Sequence, residues 1–312
     1  MFKVIFTDVI IGFEPGQNNM QFTDRFGLSC ALALPFKNDF AIDHGRLAAQ
    51  ARWCLDAGCS SITVFGTTGE GASVSLAERG EVLGALLSAG VEPGGQLVGG
   101  VSAASIGDAV EQIRMLNDDG CRRILLAPPF YFKGVSDEGL YSWFTRVIEK
   151  VAHRSVRVIL YHIPSVTQVA LGVDLIGRLK SDYPDLVMGV KDSGGDWTFT
   201  GALLARHADL AILVGDERHL AAGVRLGAKG AISGLANVCP AQLLALVEEG
   251  RNDSRIGELV NEVLKYPVTP AVKALVARRR NDEGWHNVRP PLTRISEPDA
   301  RELDSAYRRI FS

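Results

Sequence analysis

The sequence predicts an α/β fold, a closed (β/α)8 TIM barrel followed by a C-terminal helical extension. Short apolar runs alternate with amphipathic stretches eight times, beginning roughly 20 to 35 residues apart, which is the length of one βαβ unit. The runs are continuously apolar rather than alternating, as expected of parallel strands that are buried on both faces. The length of 312 residues also suits one such domain.

The predicted strands are the apolar runs at residues 28–34, 61–65, 97–101, 123–127, 156–163, 186–190, 211–214 and 231–233. The predicted helices between them cover residues 47–57, 76–87, 106–116, 139–151, 173–179, 199–208 and 219–226. Ser75 and Glu78 have the spacing of a capping box at the start of the second helix. A doubly wound open sheet is the alternative fold, but no G-x-G-x-x-G pattern follows the first strand.

The chain divides into three predicted parts. Residues 1–27 form an N-terminal extension with weak periodicity, and residues 28–239 form the barrel. Residues 240–312 form a C-terminal helical region, in which we expect helices at 243–249, 256–264 and 272–280.

Composition excludes several classes of protein. The net charge of −3 comes without a long basic run, which argues against a nucleic-acid partner. No stretch of eighteen apolar residues predicts a membrane span, and the N-terminus lacks the pattern of a secretory signal. The five cysteines are scattered and have no metal-ligand spacing, so we expect buried free thiols, no metal and a cytoplasmic location.

The active site of such a barrel lies at the C-terminal ends of its strands, and Lys191 is the most informative residue there. It directly follows an apolar run that ends at Val190, so its stem begins inside packed surroundings. A nucleophilic lysine must be neutral, and a desolvated site favours the neutral form. The plainer alternatives are a lysine that extends to solvent or pairs with Asp192. Lys37 is a rival nucleophile, whereas Lys229 belongs at the opposite end of the barrel.

Two further strand ends carry polar groups. The Gly66-Thr67-Thr68-Gly69 segment is a tight turn whose amides and hydroxyls suit a carboxylate, although an ordinary turn is the alternative. Tyr161 lies inside an apolar strand and needs a hydrogen-bond partner, which a core tyrosine also would. His162 points to the other side of that strand, and we interpret it as structural.

These residues together resemble the dihydrodipicolinate synthase / N-acetylneuraminate lyase family, class I aldolases that use pyruvate. The resemblance covers nearly the whole chain from Leu28 onward. Its four segments stand at strand ends, in the order Gly66-Thr67-Thr68-Gly69-Glu70, Tyr161-His162-Ile163-Pro164, Gly189-Val190-Lys191-Asp192 and Gly230-Ala231-Ile232-Ser233-Gly234.

The resemblance implies catalytic roles for four residues. Lys191 looks like the lysine that forms the Schiff base, and Tyr161 looks like the tyrosine that moves protons at the imine carbon. Thr67 looks like the hydroxyl partner of that tyrosine. Tyr131 falls where the synthases place a tyrosine that reaches into the neighbouring subunit's site.

It also implies substrate-binding roles for residues around the lysine. Thr68, with the loop amides near Gly66, looks like the holder of the pyruvate carboxylate. Gly215 and Ile232 look like the residues that line the lysine pocket with main-chain carbonyls, and Ser233 ends the neighbouring strand. The chemistry implied needs no cofactor and no metal, because a protonated imine is itself an electron sink. A homodimer or homotetramer is expected.

The predicted function is a Schiff-base-forming lyase or aldolase, or a dehydratase, acting on pyruvate or a pyruvate-derived 2-keto-3-deoxy acid. Val166 stands where the lysine-pathway synthases carry an arginine for the aldehyde's carboxylate, and Gly234 replaces a hydroxyl of the sialic-acid lyases. Asp216 and Glu217 are candidate acceptors for substrate hydroxyls or, equally, helix caps.

Three alternatives remain at this point. The first is a true 4-hydroxy-tetrahydrodipicolinate (dihydrodipicolinate) synthase that condenses pyruvate with aspartate semialdehyde. The second is a catalytically silent barrel that serves as a small-molecule sensor. The third, a phosphate-binding barrel, would need a glycine-rich anion loop after strand seven or eight.

Overall fold

The computed structural model describes residues 25–312 and shows a closed barrel of eight parallel strands in sequence order. The strands are β1 (Gly27–Ala31), β2 (Ser61–Val64), β3 (Leu97–Val101), β4 (Arg123–Leu126), β5 (Arg157–His162), β6 (Val187–Asp192), β7 (Ala211–Val214) and β8 (Gly230–Ser233). Each strand pairs with its sequence neighbours, and β8 pairs with β1. The predicted fold class is therefore confirmed.

Thirteen helices in the described part of the chain surround the strands. Those up to the last strand are α1 (His44–Asp56), α2 (Leu76–Ser88), α3 (Pro93–Gln96), α4 (Ile106–Asp118), α5 (Asp137–Val151), α6 (Pro164–Thr167), α7 (Val173–Asp182), α8 (Trp197–Arg206) and α9 (Glu217–Arg225). The rest are α10 (Pro240–Glu249), α11 (Ser254–Val263), α12 (Val268–Arg280) and α13 (Glu297–Phe311). Helix α10 packs on β1 and β8 and completes the outer ring.

The seam between β1 and β8 requires a close backbone approach. Gly27 and Gly230 are register partners with φ of +80° and +148°, and a Cβ on Gly230 would lie 2.0 Å from the carbonyl oxygen of Gly27. Asn237 adds side-chain bonds beside the seam: its Nδ2 donates to the oxygen of Ala31 at 2.8 Å, and its Oδ1 accepts from the amide of Ala33 at 3.0 Å. Glycine at the seam and a buried amide beside it close the sheet.

Alternation along the strands divides the core into two apolar clusters. One fills the barrel and includes Val98, Leu125, Ile159, Leu213 and Ile232, whereas the larger one lies between strands and helices. Successive strand residues point to opposite sides, so this division fixes which polar side chains reach the interior.

Some strand ends differ from their predicted positions. β1 ends at Ala31, and residues 32–34 continue as buried chain held by a bond from the amide of Leu32 to the oxygen of Thr63 at 2.9 Å. β6 runs on to Asp192 because its ladder with β5 and β7 continues past the apolar run. Lys191 is consequently a strand residue rather than the first residue of a loop.

Other expectations from the sequence have mixed outcomes. All five cysteines are free and buried, as predicted, and the Ser75–Glu78 capping box is present. Between residues 25 and 312, no helix has the length and apolar character needed to cross a bilayer. The division into 1–27, 28–239 and 240–312 stays a prediction, and residues 1–24 of its first part lie outside the described residues.

Glu78 generates a prediction about stability and pH. Its carboxylate accepts from the amide of Ser75 at 2.9 Å and pairs with the guanidinium of Arg289, which lowers its pKa from 4.5 to about 2. A folded-state pKa below the unfolded value gives stability that is present above about pH 4.5 and is lost as the pH falls toward 2. We expect Glu78→Gln to cost about 1–2 kcal/mol at pH 7, since partial exposure screens the pair.

Urea unfolding at several pH values measures this difference. The difference in free energy of unfolding between the wild type and Glu78→Gln should decrease steadily as the pH falls from 5 to 3. The control is Glu111→Gln, at an exposed position of α4, which should leave the free energy of unfolding unchanged. A gap that does not depend on pH would contradict the assignment.

Candidate active site

A cavity of about 370 Å³ opens at the C-terminal ends of the strands. Six of the predicted site residues line it, namely Thr67, Thr68, Tyr161, Lys191, Gly215 and Ile232. Apolar side chains of the C-terminal helices, including Val260 and Val272, form part of its wall. The barrel and the C-terminal helical region therefore build the cavity together.

Lys191 and Tyr161 lie side by side because β5 and β6 place them in register. Lys191 Nζ donates to the Tyr161 hydroxyl at 3.3 Å, and the Thr67 hydroxyl lies 3.2 Å from the same oxygen. The two strand residues are only 6% and 5% exposed. The structure thus brings together a buried amine, a phenol and a hydroxyl in one connected chain, as a proton relay requires.

The 66–70 loop turns tightly at the end of β2. A Cβ on Gly69 would lie 2.8 Å from the oxygen of Leu32, and one on Gly71 would lie 1.8 Å from that of Phe65, so neither position admits a side chain. Glu70 closes the turn with φ of +50°, and its amide donates to the oxygen of Thr67 at 3.0 Å. This path turns Thr67 and Thr68 toward the cavity.

The neighbours of the two central residues face the other side of the sheet. Asp192 accepts from the hydroxyl of Thr200 at 2.6 Å and from the amide of Gly194 at 3.0 Å, and the structure shows no bond from it to Lys191. His162 Nδ1 accepts from the amide of Leu171 at 3.1 Å, and burial lowers the pKa of His162. His162 therefore points away from the cavity, on the side of β5 opposite Tyr161, as predicted, and its structural role stays a prediction.

Three predicted residues do not line the cavity. Gly66 supports the loop, since its carbonyl accepts from the amide of Gly71 at 3.1 Å. The hydroxyl of Ser233 donates to the carboxyl of Glu217 at 2.5 Å. Tyr131 is 73% exposed on the loop after β4, outside the cavity. Their predicted roles stay predictions.

The rival lysines lie elsewhere. Lys37 is exposed after β1 and does not line the cavity. Lys229 lines a second cavity, with Arg25 and Arg123, at the N-terminal end of the barrel. The prediction that Lys229 belongs at the end opposite Lys191 is confirmed.

Acidic and basic groups after β7 complete the wall. Glu217 is buried, and desolvation raises the pKa of its carboxyl, while the Ser233 hydroxyl and Lys191 oppose that shift. Asp216 caps α9 and pairs with the guanidinium of Arg218 at 2.6 Å. The sequence interpretation included both acids but missed Arg218, although its place after two strand-end acids was visible.

Within residues 25–312, no group of three or more histidine, cysteine, aspartate or glutamate side chains is arranged to hold a metal ion. The polar groups that face the cavity are instead an amine, hydroxyls, a guanidinium and carboxyls.

Comparison with known proteins identifies the family. A sequence profile of the Dihydrodipicolinate synthetase family matches residues 24–309. The chain belongs to this family. A relative described as an uncharacterized DapA-like lyase from Chloroflexus aurantiacus is 30% identical over 297 residues, which are 92% of this chain and 97% of that protein. The predictions of this family and of a lyase are confirmed.

Other members of the family include named synthases. A 4-hydroxy-tetrahydrodipicolinate synthase from Chlorobium chlorochromatii is 33% identical over 89% of this chain and 95% of its own length. The crystal structure of a dihydrodipicolinate synthase from Agrobacterium tumefaciens str. C58 superposes with a TM-score of 0.90 at 50% identity, covering 92% of this chain and 100% of that one.

Gly215 generates a prediction about the site's framework. Its amide donates to the oxygen of Asp192 at 2.7 Å, and a Cβ there would lie 2.7 Å from that same backbone atom. We expect Gly215→Ala to lower the free energy of unfolding of the protein by about 1–3 kcal/mol, because β6 and β7 must move apart to make room for the methyl group.

The matched control is Gly201→Ala, in the middle of α8, where a Cβ meets nothing within 4 Å. Alanine there should be neutral or stabilise by up to about 1 kcal/mol. Urea unfolding of both variants measures the difference, and equal stability of the two would contradict the crowding at Gly215.

Proposed function

We propose that Lys191 forms a Schiff base with pyruvate or a pyruvate-derived 2-keto-3-deoxy acid, and that the chain is a class I aldolase, lyase or dehydratase. The observation that carries the proposal is the chain of contacts from Lys191 to Tyr161 to Thr67 inside a cavity at the strand ends. Burial of Lys191 supports it, since the amine is held against the Tyr161 hydroxyl and away from bulk water.

The reaction begins when the Lys191 amine adds to the substrate's C2 carbonyl. One proton from the amine nitrogen and one from the Tyr161 hydroxyl leave with the carbonyl oxygen as water, so C2 becomes a protonated imine and Tyr161 a phenolate. The imine accepts an electron pair from C3 when C3 loses a proton or when the bond from C3 to C4 breaks, and the phenolate takes up the proton released from C3 or from the C4 hydroxyl. The Thr67 hydroxyl donates to the phenolate meanwhile, and water then adds to C2 and releases the product from Lys191.

The substrate's carboxylate is assigned to the 66–70 loop. Thr68 lines the cavity and is largely buried, so its hydroxyl supports this assignment. The amides of Glu70 and Gly71 already donate within the turn. Gly215 and Ile232 leave room for the lysine, since both line the same cavity. Gly66 and Ser233 act indirectly, by supporting the loop and by holding Glu217.

The far end of the substrate meets a polar wall. Ser193, Asp216, Glu217 and Arg218 line the cavity, and this set suits a chain of hydroxyl groups. Val166, which is 57% exposed at the cavity edge, supplies no guanidinium for a second carboxylate. The wall supports a sugar-derived 2-keto-3-deoxy acid as substrate.

A second candidate is 4-hydroxy-tetrahydrodipicolinate synthase activity. It is favoured by the names of several relatives and by Arg218, a cation on the cavity wall. Against it, that guanidinium is already paired with Asp216 and donates to Asn261 at 3.1 Å. A coupled assay with pyruvate and aspartate semialdehyde distinguishes the two, and turnover would favour the synthase.

We also propose a cytoplasmic homodimer or homotetramer. Tyr131 and Phe132 are 73% and 71% exposed, and such an aromatic pair suits a subunit interface. A second subunit would bring Tyr131 to its neighbour's site. A silent sensor would have no need of the connected Lys191–Tyr161–Thr67 chain.

The direct test is intact-mass spectrometry after incubation with pyruvate and borohydride. The wild type should gain the mass of one reduced pyruvyl group. Lys191→Ala should gain none, and Lys180→Ala, which removes a lysine bonded to the oxygen of Pro184, should behave as the wild type. No adduct on folded wild type would refute the proposal.

Tyr161→Phe tests the proton relay. We expect kcat with the identified 2-keto acid to fall about 10²–10⁴-fold, because a positioned acid–base group contributes that much. Tyr183→Phe is the control, since its hydroxyl donates to Glu149 at 3.0 Å on the outer surface. Unchanged turnover in Tyr161→Phe would remove tyrosine from the relay.

A further inference from the structure

A buried ion pair lies directly behind the 66–70 loop. Lys273 Nζ lies 2.6 Å from Glu70 Oε1, and both side chains are completely inaccessible to solvent. Glu70 is the last residue of the loop, whereas Lys273 belongs to α12, some 200 residues later in the chain. Neither residue lines the cavity, and neither takes part in the proposed reaction.

The pair is fully satisfied by further contacts. Lys273 Nζ also donates to the oxygen of Leu34 at 2.8 Å and lies 4.5 Å from the centre of the Phe36 ring. The second oxygen of Glu70 accepts from the amide of Arg289 at 2.8 Å. The carboxylate therefore joins the loop to two segments of the C-terminal region.

Helix α12 contacts the loop at a second point, one turn before Lys273. The hydroxyl of Thr269 donates to the oxygen of Thr67 at 3.2 Å. The helix is thus bonded to both ends of the segment that presents Thr67 and Thr68.

A buried ion pair is a poor way to gain stability, because desolvation cancels much of the attraction. Such a pair can instead fix geometry. A carboxylate that accepts hydrogen bonds from two sides holds the backbone of its own residue in one position. The backbone held here is Glu70, in the left-handed region at φ of +50°, which costs energy for a side chain other than glycine. The pair opposes relaxation of that turn.

We propose that Lys273 is a positioning residue for substrate binding: through Glu70, and together with Thr269, it fixes the 66–70 loop in the geometry that receives the 2-keto acid's carboxylate. This rests on the proposed function of the loop. On this proposal, α12 contributes to substrate binding by positioning the loop, in addition to packing on the barrel.

The protonation of Lys273 adds a pH dependence. Burial lowers its pKa to about 8, Glu70 opposes the shift, and Arg289 adds to it. These are the charged groups that face Lys273, and Arg289 is itself paired with Glu78. Above pH 8 the amine loses its proton and its attraction to Glu70 weakens, so the substrate should bind less tightly there.

The experiment compares Lys273→Met and the double variant Glu70→Gln/Lys273→Met with the wild type. The control is Arg280→Met, on the same helix, whose guanidinium donates to Gln50 at 2.8 Å and does not contact the loop. For each protein, the pyruvate concentration that gives half-maximal borohydride adduct is measured from pH 7 to 9, with kcat and KM for the identified 2-keto acid.

We expect half-saturation and KM to rise about tenfold or more in both Lys273 variants, as for loss of a bond to a charged group, with kcat changed less than about threefold. In the wild type, half-saturation should rise between pH 8 and 9 more steeply than in the variants. Arg280→Met should behave as the wild type in both respects.

The double variant removes both charges, so it remains informative if Lys273→Met alone does not fold. Folded variants with wild-type half-saturation, or with kcat reduced and half-saturation unchanged, would overturn the proposal. So would a pH dependence of half-saturation that is identical in the wild type and in the folded Lys273 variants. Absence of any adduct on the wild type would instead refute the Schiff base itself, and this proposal with it.

Discussion

Closure of the sheet is the constraint on which the other features depend. Strand β8 approaches β1 closely where Gly230 meets Gly27, and the backbone of Gly27 leaves no room for a Cβ on Gly230. Closure sets the register of each pair, and the two-residue period then decides which side chains point inward. Tyr161 and Lys191 are register partners on the inward side, so their meeting follows from the barrel itself.

The barrel supplies the amine and the phenol, but it does not by itself complete the proposed carboxylate site. The 66–70 loop leaves the strand ends and bends through a left-handed residue, Glu70. Helix α12 bonds to this loop through Thr269 and Lys273, and its apolar side chains wall the same cavity. In the proposed function, the barrel would hold the reacting end of the substrate, and the loop bonded to the C-terminal region would hold its carboxylate.

The sequence predicted the barrel because eight buried parallel strands leave a strong apolar signal. It predicted the region of the site because the C-terminal ends of all the parallel strands meet at one end of the barrel. Lys191 could not be placed inside β6, because a charged residue gives no sign that the hydrogen-bond ladder continues. The single-turn helices α3 and α6 are too short for periodicity, whereas α13 had a readable cap at Ser296.

Long-range pairs explain the other omissions. Lys273 stands in a helix whose neighbours are apolar, which marks it as buried, yet no local pattern names Glu70 as its partner. The same is true of Ser233 and Glu217, which meet only in the folded chain. Arg218 was not predicted as a site residue because an arginine in the first turn of a helix commonly pairs with the N-cap residue. Here Arg218 pairs with the N-cap Asp216 and also lines the cavity.

The most direct measurement of the central claim is exchange of the C3 protons of pyruvate with deuterium in heavy water, followed by proton NMR without a second substrate. The proposed imine on Lys191 would acidify those protons, and Tyr161 is the group proposed to move one. With the wild type, the pyruvate methyl signal should therefore decay far faster than in buffer alone. With Lys191→Ala or heat-denatured protein it should decay at the rate of buffer. Exchange by the wild type at the rate of buffer alone, with folded protein and saturating pyruvate, would contradict the account.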